Sequence, residues 1–329
     1  MQKIDFLAVG DITVDSFIRM KDASVHCDLN REHCQICVRF GDKVPYEFLV
    51  DVPAVGNSPN AAVAAARLGL NSALATDLGT DEAGEECRAQ LEKEHVNQTW
   101  VSSHEKLPTN HHFVLWYEDE RTILVNHAAF PYKFPDAPEP RWMYVSSLGP
   151  DSQKYHQEIA AYLEAHPSVK LAFQPGTFQI NFGMETMKKF YSRAEVIVAN
   201  LNEAEKILKT KLVVRDSLEE LKRLGSKMVL LTDSRNGSYL FDGQTSWHIP
   251  IYPDEKPPYE RTGAGDATAS TFVSALILGK TPAEAVRWGH TNSRSVVQEV
   301  GAQKGLLTRE QLEKTLAEAP PEFIAERLA

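Results

Sequence analysis

The chain has 329 residues, 43% of them hydrophobic and 24% charged, with a formal net charge of -10. That length admits one large α/β domain or two ordinary ones, and it buries a sizeable core without help from disulfides. The acidic balance excludes a general nucleic-acid or membrane-surface binder, which needs a basic field, but not a phosphorylated ligand held by backbone amides.

Four cysteines, Cys27, Cys34, Cys37 and Cys87, are too few for a disulfide scaffold in a chain of this size. No signal-peptide pattern precedes the first strand-like segment, and no apolar run is long enough to span a bilayer. The expectation is a cytoplasmic protein with reduced thiols.

Residues 4–9 read as a buried strand ending at Gly10, and residues 21–50 as an irregular, polar, cysteine-bearing insertion with a short strand at 48–52. Asn57 and Ser58 then offer a helix cap, Pro59 suits the first helical position, and Gly69 follows the last turn of the Ala-rich stretch 61–68. A strand at 72–78 and a helix at 81–94 lead to a hairpin, 113–117 with 122–125. Apolar runs at 142–146, 169–173, 195–199 and 228–232 alternate with helix-like segments at 152–166, 180–191 and 203–225. Such alternation indicates βαβ units and a parallel sheet. A second hairpin, 238–241 with 246–250, turns through Asp242-Gly243, and the last third is helical at 266–278, 282–299 and 308–318. The reading is a single domain over 1–329, with a small β-subdomain formed by about 14–55 and 99–130.

The most informative stretch is Glu260-Arg261-Thr262-Gly263-Ala264-Gly265-Asp266. Two glycines and an alanine leave the backbone bare where a helix begins, and bare amides at a helix N-terminus form an anion hole. Asp266 opens the helix beside that hole, where positive dipoles favour its charged form. Phosphoryl transfer needs this pair: amides for the charge on the moving group, and a carboxylate to orient and deprotonate the attacking hydroxyl. Taken alone, the segment reads equally well as a Gly-rich turn capped by Asp.

The segment resembles the C-terminal signature of the ribokinase-like (PfkB) carbohydrate kinases, Asp-Thr-Thr-Gly-Ala-Gly-Asp, with Glu260 and Arg261 in place of its first two residues. The resemblance runs in order along nearly the whole chain. It implies a three-layer α/β fold, a central mostly parallel sheet flanked by helices with a small β-sheet lid. It also implies Asp266 as the base and Gly263, Ala264 and Gly265 as the anion hole.

Gly10-Asp11-Ile12-Thr13-Val14-Asp15 is similar to the family's first strand and nominates Asp15 for acceptor hydroxyls; otherwise Asp15 reads as a turn residue. Val55-Gly56-Asn57-Ser58-Pro59-Asn60 resembles the Gly-Gly motif before an Ala-rich helix, with Val55 replacing the first Gly, and adds Gly56, Asn57 and Asn60. Asn200-Leu201-Asn202-Glu203 resembles the family's Asn-x-x-Glu motif, which places Mg2+ and the phosphates near Asn200 and Glu203, largely through water. The same four residues also read as a helix capping box. Thr232 to Gly237 is similar to the nucleotide-binding turn, with Ser234 replacing a Gly, so Thr232, Gly237 and, from the penultimate helix, Asn292 are the ATP-binding candidates. Gly301-Ala302-Gln303-Lys304-Gly305 matches a late Gly-Ala segment whose neighbourhood hosts a monovalent cation in relatives.

The implied activity is ATP-dependent phosphorylation of a hydroxymethyl group on a ribose- or fructose-like sugar. A nucleoside acceptor and a non-catalytic sugar- or nucleotide-sensing module are the alternatives. Cys34-x2-Cys37, with Cys27 or the nearby His26 and His33, has zinc-like spacing; these cysteines read also as small apolar residues of the insertion. A homodimer through the small sheet is the partner expectation. No P-loop, protein-kinase catalytic loop, zinc-protease motif or nucleophile elbow is present.

Overall fold

The computed structural model describes residues 3–28, 34–118, 120–137, 139–253 and 256–328. The chain opens with β1 (Phe6–Val9) and β2 (Thr13–Met20), forms a ribbon of β3 (Ser24–His26) and β4 (Gln35–Cys37), and returns as β5 (Tyr46–Val55). Next come α1 (Asn57–Arg67), β6 (Ser72–Gly79), α2 (Glu82–Lys93), β7 (Asn97–His104) and a hairpin of β8 (Asn110–Tyr117) and β9 (Glu120–Leu124). The middle alternates: β10 (Trp142–Val145), α3 (Gln153–Ala165), β11 (Lys170–Phe173), α4 (Thr177–Phe182), α5 (Met184–Arg193), β12 (Val196–Asn200), α6 (Leu201–Leu208), α7 (Val214–Arg223) and β13 (Met228–Thr232). A hairpin of β14 (Ser238–Phe241) and β15 (Ser246–Ile249) precedes α8 (Ala264–Ile277), α9 (Pro282–Val296), α10 (Arg309–Ala317) and the short β16 (Glu326–Arg327).

Among the described residues the large sheet has the order β16-β15-β14-β13-β12-β11-β10-β1-β6-β7. Its strands from β13 to β7 run parallel, and β14, β15 and β16 are added antiparallel at one edge. The central strands are buried on both faces, which is why they read as continuous apolar runs rather than alternating ones. Phe6, Ala8 and Tyr144 pack against α1, α8 and α9, whereas Leu7, Val9 and Val145 pack against α3, α5 and α7. This is the ribokinase-like layered α/β architecture.

Two packing details place the functional edge. Ala61 to Ala65 of α1 are fully buried, and their small side chains let α1 lie close to α8. Ser58 donates to the Val9 carbonyl at 2.8 Å and meets Ser146 Oγ at 2.6 Å, pinning the start of α1 to the carboxyl ends of β1 and β10. The strand order reverses at β1, so a crevice opens there, where open α/β sheets bind ligands.

The second sheet has the order β5-β2-β8-β9. β2 is antiparallel to β5 and parallel to β8, and β8 is antiparallel to β9.

Several expectations change. The helix expected over 203–225 is two helices, α6 and α7, and the one over 180–191 is broken at Gly183, whose φ of 83° ends α4. β7 pairs with β6, so its residues belong to the large sheet, not to the small subdomain. Asn57 and Ser58 do not cap α1. Gly56 stands at the N-cap position, and Asn57 is the first helical residue with its side chain engaged elsewhere.

The zinc expectation is overturned as well. Cys27 and Cys34 are joined in a disulfide across the β3–β4 ribbon, so neither is a thiolate ligand and the thiols are not all reduced. Cys37 is a free thiol, and Cys87 is on the buried face of α2 and accepts from the Ala54 amide. Among the described residues no cluster of three or more His, Cys, Asp or Glu could hold a metal. His33 lies outside the described residues.

Candidate active site

The site is built around the start of α8. Gly263 has a φ of 83°, and a Cβ there would lie 2.3 Å from the Ala302 Cβ, so glycine is required twice over. α8 carries no side-chain cap, and first-turn amides have no acceptor within their own helix. A Cβ at Gly265 would meet nothing within 4 Å, so the backbone there is open to an approaching ligand.

Asp266 is held by three side-chain amides. Asn57 donates to Oδ1 at 2.8 Å, Gln174 to the same oxygen at 3.3 Å, and Asn60 to Oδ2 at 2.9 Å. Each donor is itself fixed. Ser147 Oγ donates to Asn57 Oδ1 at 2.9 Å, Gln303 Nε2 donates to Asn60 Oδ1 at 3.0 Å, and the Tyr144 hydroxyl donates to Gln174 Oε1. The carboxylate therefore has one orientation. Burial raises its pKa above the ordinary carboxylate range, opposed by the amides of Asn60, Gln174 and Asn57 and by the charge of Arg121. The expected dominance of the helix dipole gives way to desolvation, although the residue as a whole is only part-buried.

One side of Asp266 opens into a cavity of about 530 Å3 that Asp15, Gly56, Asn57 and Asn60 line together with it. Gly56 has a φ of 122°, and a Cβ there would come within 2.7 Å of the Asp11 carbonyl oxygen. Asp15 faces His112, whose Nδ1 is 3.4 Å from its Oδ1, and Asp11 faces His127, whose Nδ1 is 3.2 Å from its Oδ2. Tyr132 also donates to Asp11, at 2.9 Å. Val55, the departure from the Gly-Gly pattern, is buried in β5 and does not line this cavity.

A second cavity, of about 480 Å3, adjoins the first, and the two share Arg121, Asn200, Thr232, Arg261 and Gly265. Thr232 and Gly237 both line the second. Gly237 has a φ of 90° and sits against the Ile249 carbonyl, so its turn excludes a side chain. Ser234 holds a φ of 48°, so the left-handed turn survives the loss of its glycine. Arg261 reaches Glu120 of β9 at 3.2 Å, joining the start of α8 to the small sheet.

Asn200 ends β12 and starts α6 in a reciprocal cap. Glu203 N donates to Asn200 Oδ1 and Asn200 N donates to Glu203 Oε2, both at 2.9 Å. Both residues still line the first cavity, so the cap does not withdraw them from it. Burial, and the nearby Asp266 charge, raise the Glu203 carboxyl above its usual range. A carboxylate offers about four lone-pair positions and the cap uses one. This desolvated anion beside an amide oxygen fits a Mg2+ ion that keeps most of its waters.

Asn292 is not at the site. It is fully buried, donates to Thr271 Oγ1 at 2.8 Å and accepts from the Leu307 amide at 2.8 Å, and it lines neither cavity. Positions two apart on a helix face different ways, and His290 is the α9 residue that lines the second cavity. Burial pushes its imidazolium down to about 4, so it is neutral near pH 7.

Sequence reasoning missed Gln174, Ser147 and Arg121. Gln174 and Ser147 follow the ends of β11 and β10, and strand ends on this edge were their available signal.

The profile of the pfkB family carbohydrate kinases matches residues 29–309. An ATP-dependent 6-phosphofructokinase of Thermoanaerobacterium thermosaccharolyticum is 23% identical over 320 residues, covering 92% of this chain and 90% of that one. A cytidine kinase of Thermococcus kodakarensis is 26% identical over 260 residues, covering 75% and 87%. Among solved structures, the Giardia lamblia ribokinase has a TM-score of 0.81 at 17% identity, covering 96% of this chain and 99% of that chain. The Arabidopsis thaliana ribokinase complexed with ribose and ATP has a TM-score of 0.79 at 19% identity, with the same coverage. At such identities the structural likeness speaks for the fold alone.

Proposed function

The chain belongs to the pfkB family of carbohydrate kinases, and we propose that it transfers the γ-phosphoryl group of ATP to a hydroxymethyl group of a small ribose- or fructose-like sugar. One observation carries this reading: a carboxylate locked by three amides lines one of two adjoining cavities, next in sequence to Gly265, which lines both, and beside uncapped amides of a helix start.

In this reading the acceptor occupies the first cavity. Asp15 accepts from its hydroxyls, and Asn57 and Asn60 each retain a second amide N–H for it. The raised pKa of Asp266 suits a base that takes the hydroxyl proton as the acceptor oxygen attacks the γ-phosphorus. The bond from that phosphorus to the β–γ bridging oxygen breaks, and ADP leaves with the electron pair. Amides at Gly263, Ala264 and Gly265 face the charge on the group in flight. Asn200 and Glu203 would hold Mg2+, which supplies charge neutralisation on the phosphates. Thr232 and Gly237 shape the nucleotide side. The small sheet acts as a lid that keeps water, a competing acceptor, away from the γ-phosphoryl group.

A nucleoside acceptor is the second reading. It rests on the apolar wall formed by Ile123, Val125, Leu148 and Phe178, where a base would lie. For a partner, the outward side chains Leu49, Phe113 and Leu124 of the small sheet favour a second copy of this chain. Light scattering that gives a monomer mass at high concentration removes that expectation.

The test is coupled ADP release with MgATP against D-ribose, D-fructose, D-fructose 6-phosphate, cytidine and adenosine, with Asp266→Asn as the control. Acceptor-dependent release that the control abolishes supports the kinase and names its acceptor. Ligand-induced stabilisation without release supports a sensing module instead.

A further inference from the structure

Phosphoryl transfer concentrates negative charge where the two cavities adjoin, yet the first cavity is lined by four carboxylates, those of Asp266, Glu203, Asp11 and Asp15. Among the described residues no lysine lines either cavity. Two cationic side chains line both, Arg121 and Arg261. Arg261 is engaged with Glu120.

Arg121 differs. It sits on β9, where side chains alternate, so Arg121, Ile123 and Val125 point into the first cavity together. Among the described residues its guanidinium makes no hydrogen bond or ion pair, and its Nε is buried without a partner. A partly buried guanidinium with an unmet donor is costly unless something arrives to meet it. Its planar fork matches phosphate oxygens in a bidentate fashion, which an ammonium does not.

We infer that Arg121 is a further catalytic residue, which grips the equatorial oxygens of the phosphoryl group as it passes from ADP to the acceptor. Arg121 faces that group from the small sheet, and the amides of Gly263 and Gly265 face it from the start of α8. Because Asp15 lies on β2 of the same small sheet, the element that holds the acceptor also delivers the cation. Acceptor binding and charge stabilisation are thereby coupled through one rigid sheet. This inference rests on the kinase reading.

The experiment compares wild type, Arg121→Gln and Arg121→Lys in ADP release with MgATP and D-ribose, D-fructose 6-phosphate or cytidine. Thermal shifts are read in parallel with MgADP alone and with MgADP plus aluminium fluoride, a mimic of the group in flight. Arg121→Gln should lower kcat by about 100-fold or more, with less than about threefold change in acceptor KM. It should keep the MgADP shift and lose the increment that aluminium fluoride adds. Arg121→Lys keeps the charge without the fork, and should fall about tenfold in kcat. Arg121→Gln with wild-type kcat and the full increment overturns the inference while leaving the kinase standing. Wild-type protein with no ADP release on any acceptor overturns the kinase reading first. If Arg121→Gln does not fold, Arg121→Lys carries the test, and wild-type kcat there is equally fatal.

Discussion

The two cavities that meet at Gly265, beside Asp266, are made of different materials. The one proposed for the acceptor is specified by side chains: Asp11 and Asp15 with their histidines, the amides of Asn57 and Asn60, and an apolar wall. The one proposed for the nucleotide is specified largely by backbone, through the turn at Ser234 and Gly237 and the open start of α8. A backbone-built site tolerates exchange of side chains that keep its φ angles, as Ser234 does. A side-chain-built site changes its ligand with each exchange. The acceptor half should therefore set specificity, and the nucleotide half should be the more permissive.

Breaking the junction tests the comparison most severely. Asp266→Asn should lower kcat by about 1,000-fold or more while MgATP affinity, measured by calorimetry, stays within about threefold. Gly263→Ala comes next. The strained φ and the contact with Ala302 should cost about 1–3 kcal/mol of stability and close the anion hole, read as a lower melting temperature together with lost turnover. Asp15→Asn should act on one half only, raising acceptor KM about 10-fold or more with ATP KM unchanged. Equal effects on both KM values would show that the halves are not separable.

The pH profile sharpens the same point. The proposed base acts deprotonated, so activity should fall as pH drops through the raised pKa of Asp266, and the acid limb should lie above the usual Asp range. Gln174 donates to the charged form and lowers that pKa. Gln174→Met should therefore move the acid limb of kcat to higher pH; a limb moving lower would contradict the assigned donor. The smallest effect on turnover is expected from Asn292→Ala, which should lower stability by about 1–3 kcal/mol through its unpaired partners and leave ATP KM alone.

Sequence legibility divided along the same seam. Gly263 and Gly237 were readable because left-handed, sterically closed backbone leaves few residues to choose from, and that constraint is local. Gln174 and Arg121 were not, since each is a lone polar residue that only strand pairing brings to Asp266 from far along the chain. Asn292 failed by helical phase: two positions turned it from the cavity toward Thr271 and Leu307. The cysteines failed because Cys34-x2-Cys37 has the spacing of a zinc pair, while the β3–β4 ribbon sets Cys27 against Cys34. The alternating middle of the chain was legible as a parallel sheet, but Gly183 and the break between α6 and α7 were submerged in runs of helix formers.

Gly263 meets Ala302 with no room to gain a carbon of its own. In a lineage descending from this protein, a side chain at position 263 requires a rearrangement at position 302, so Gly263 should change together with its neighbour or not at all. Drift toward a new acceptor can proceed through Asp15 or Val125 without touching them. The pair then works as a historical marker: descendants that trade one substrate for another keep it, and those that give up phosphorylation are free to lose it first.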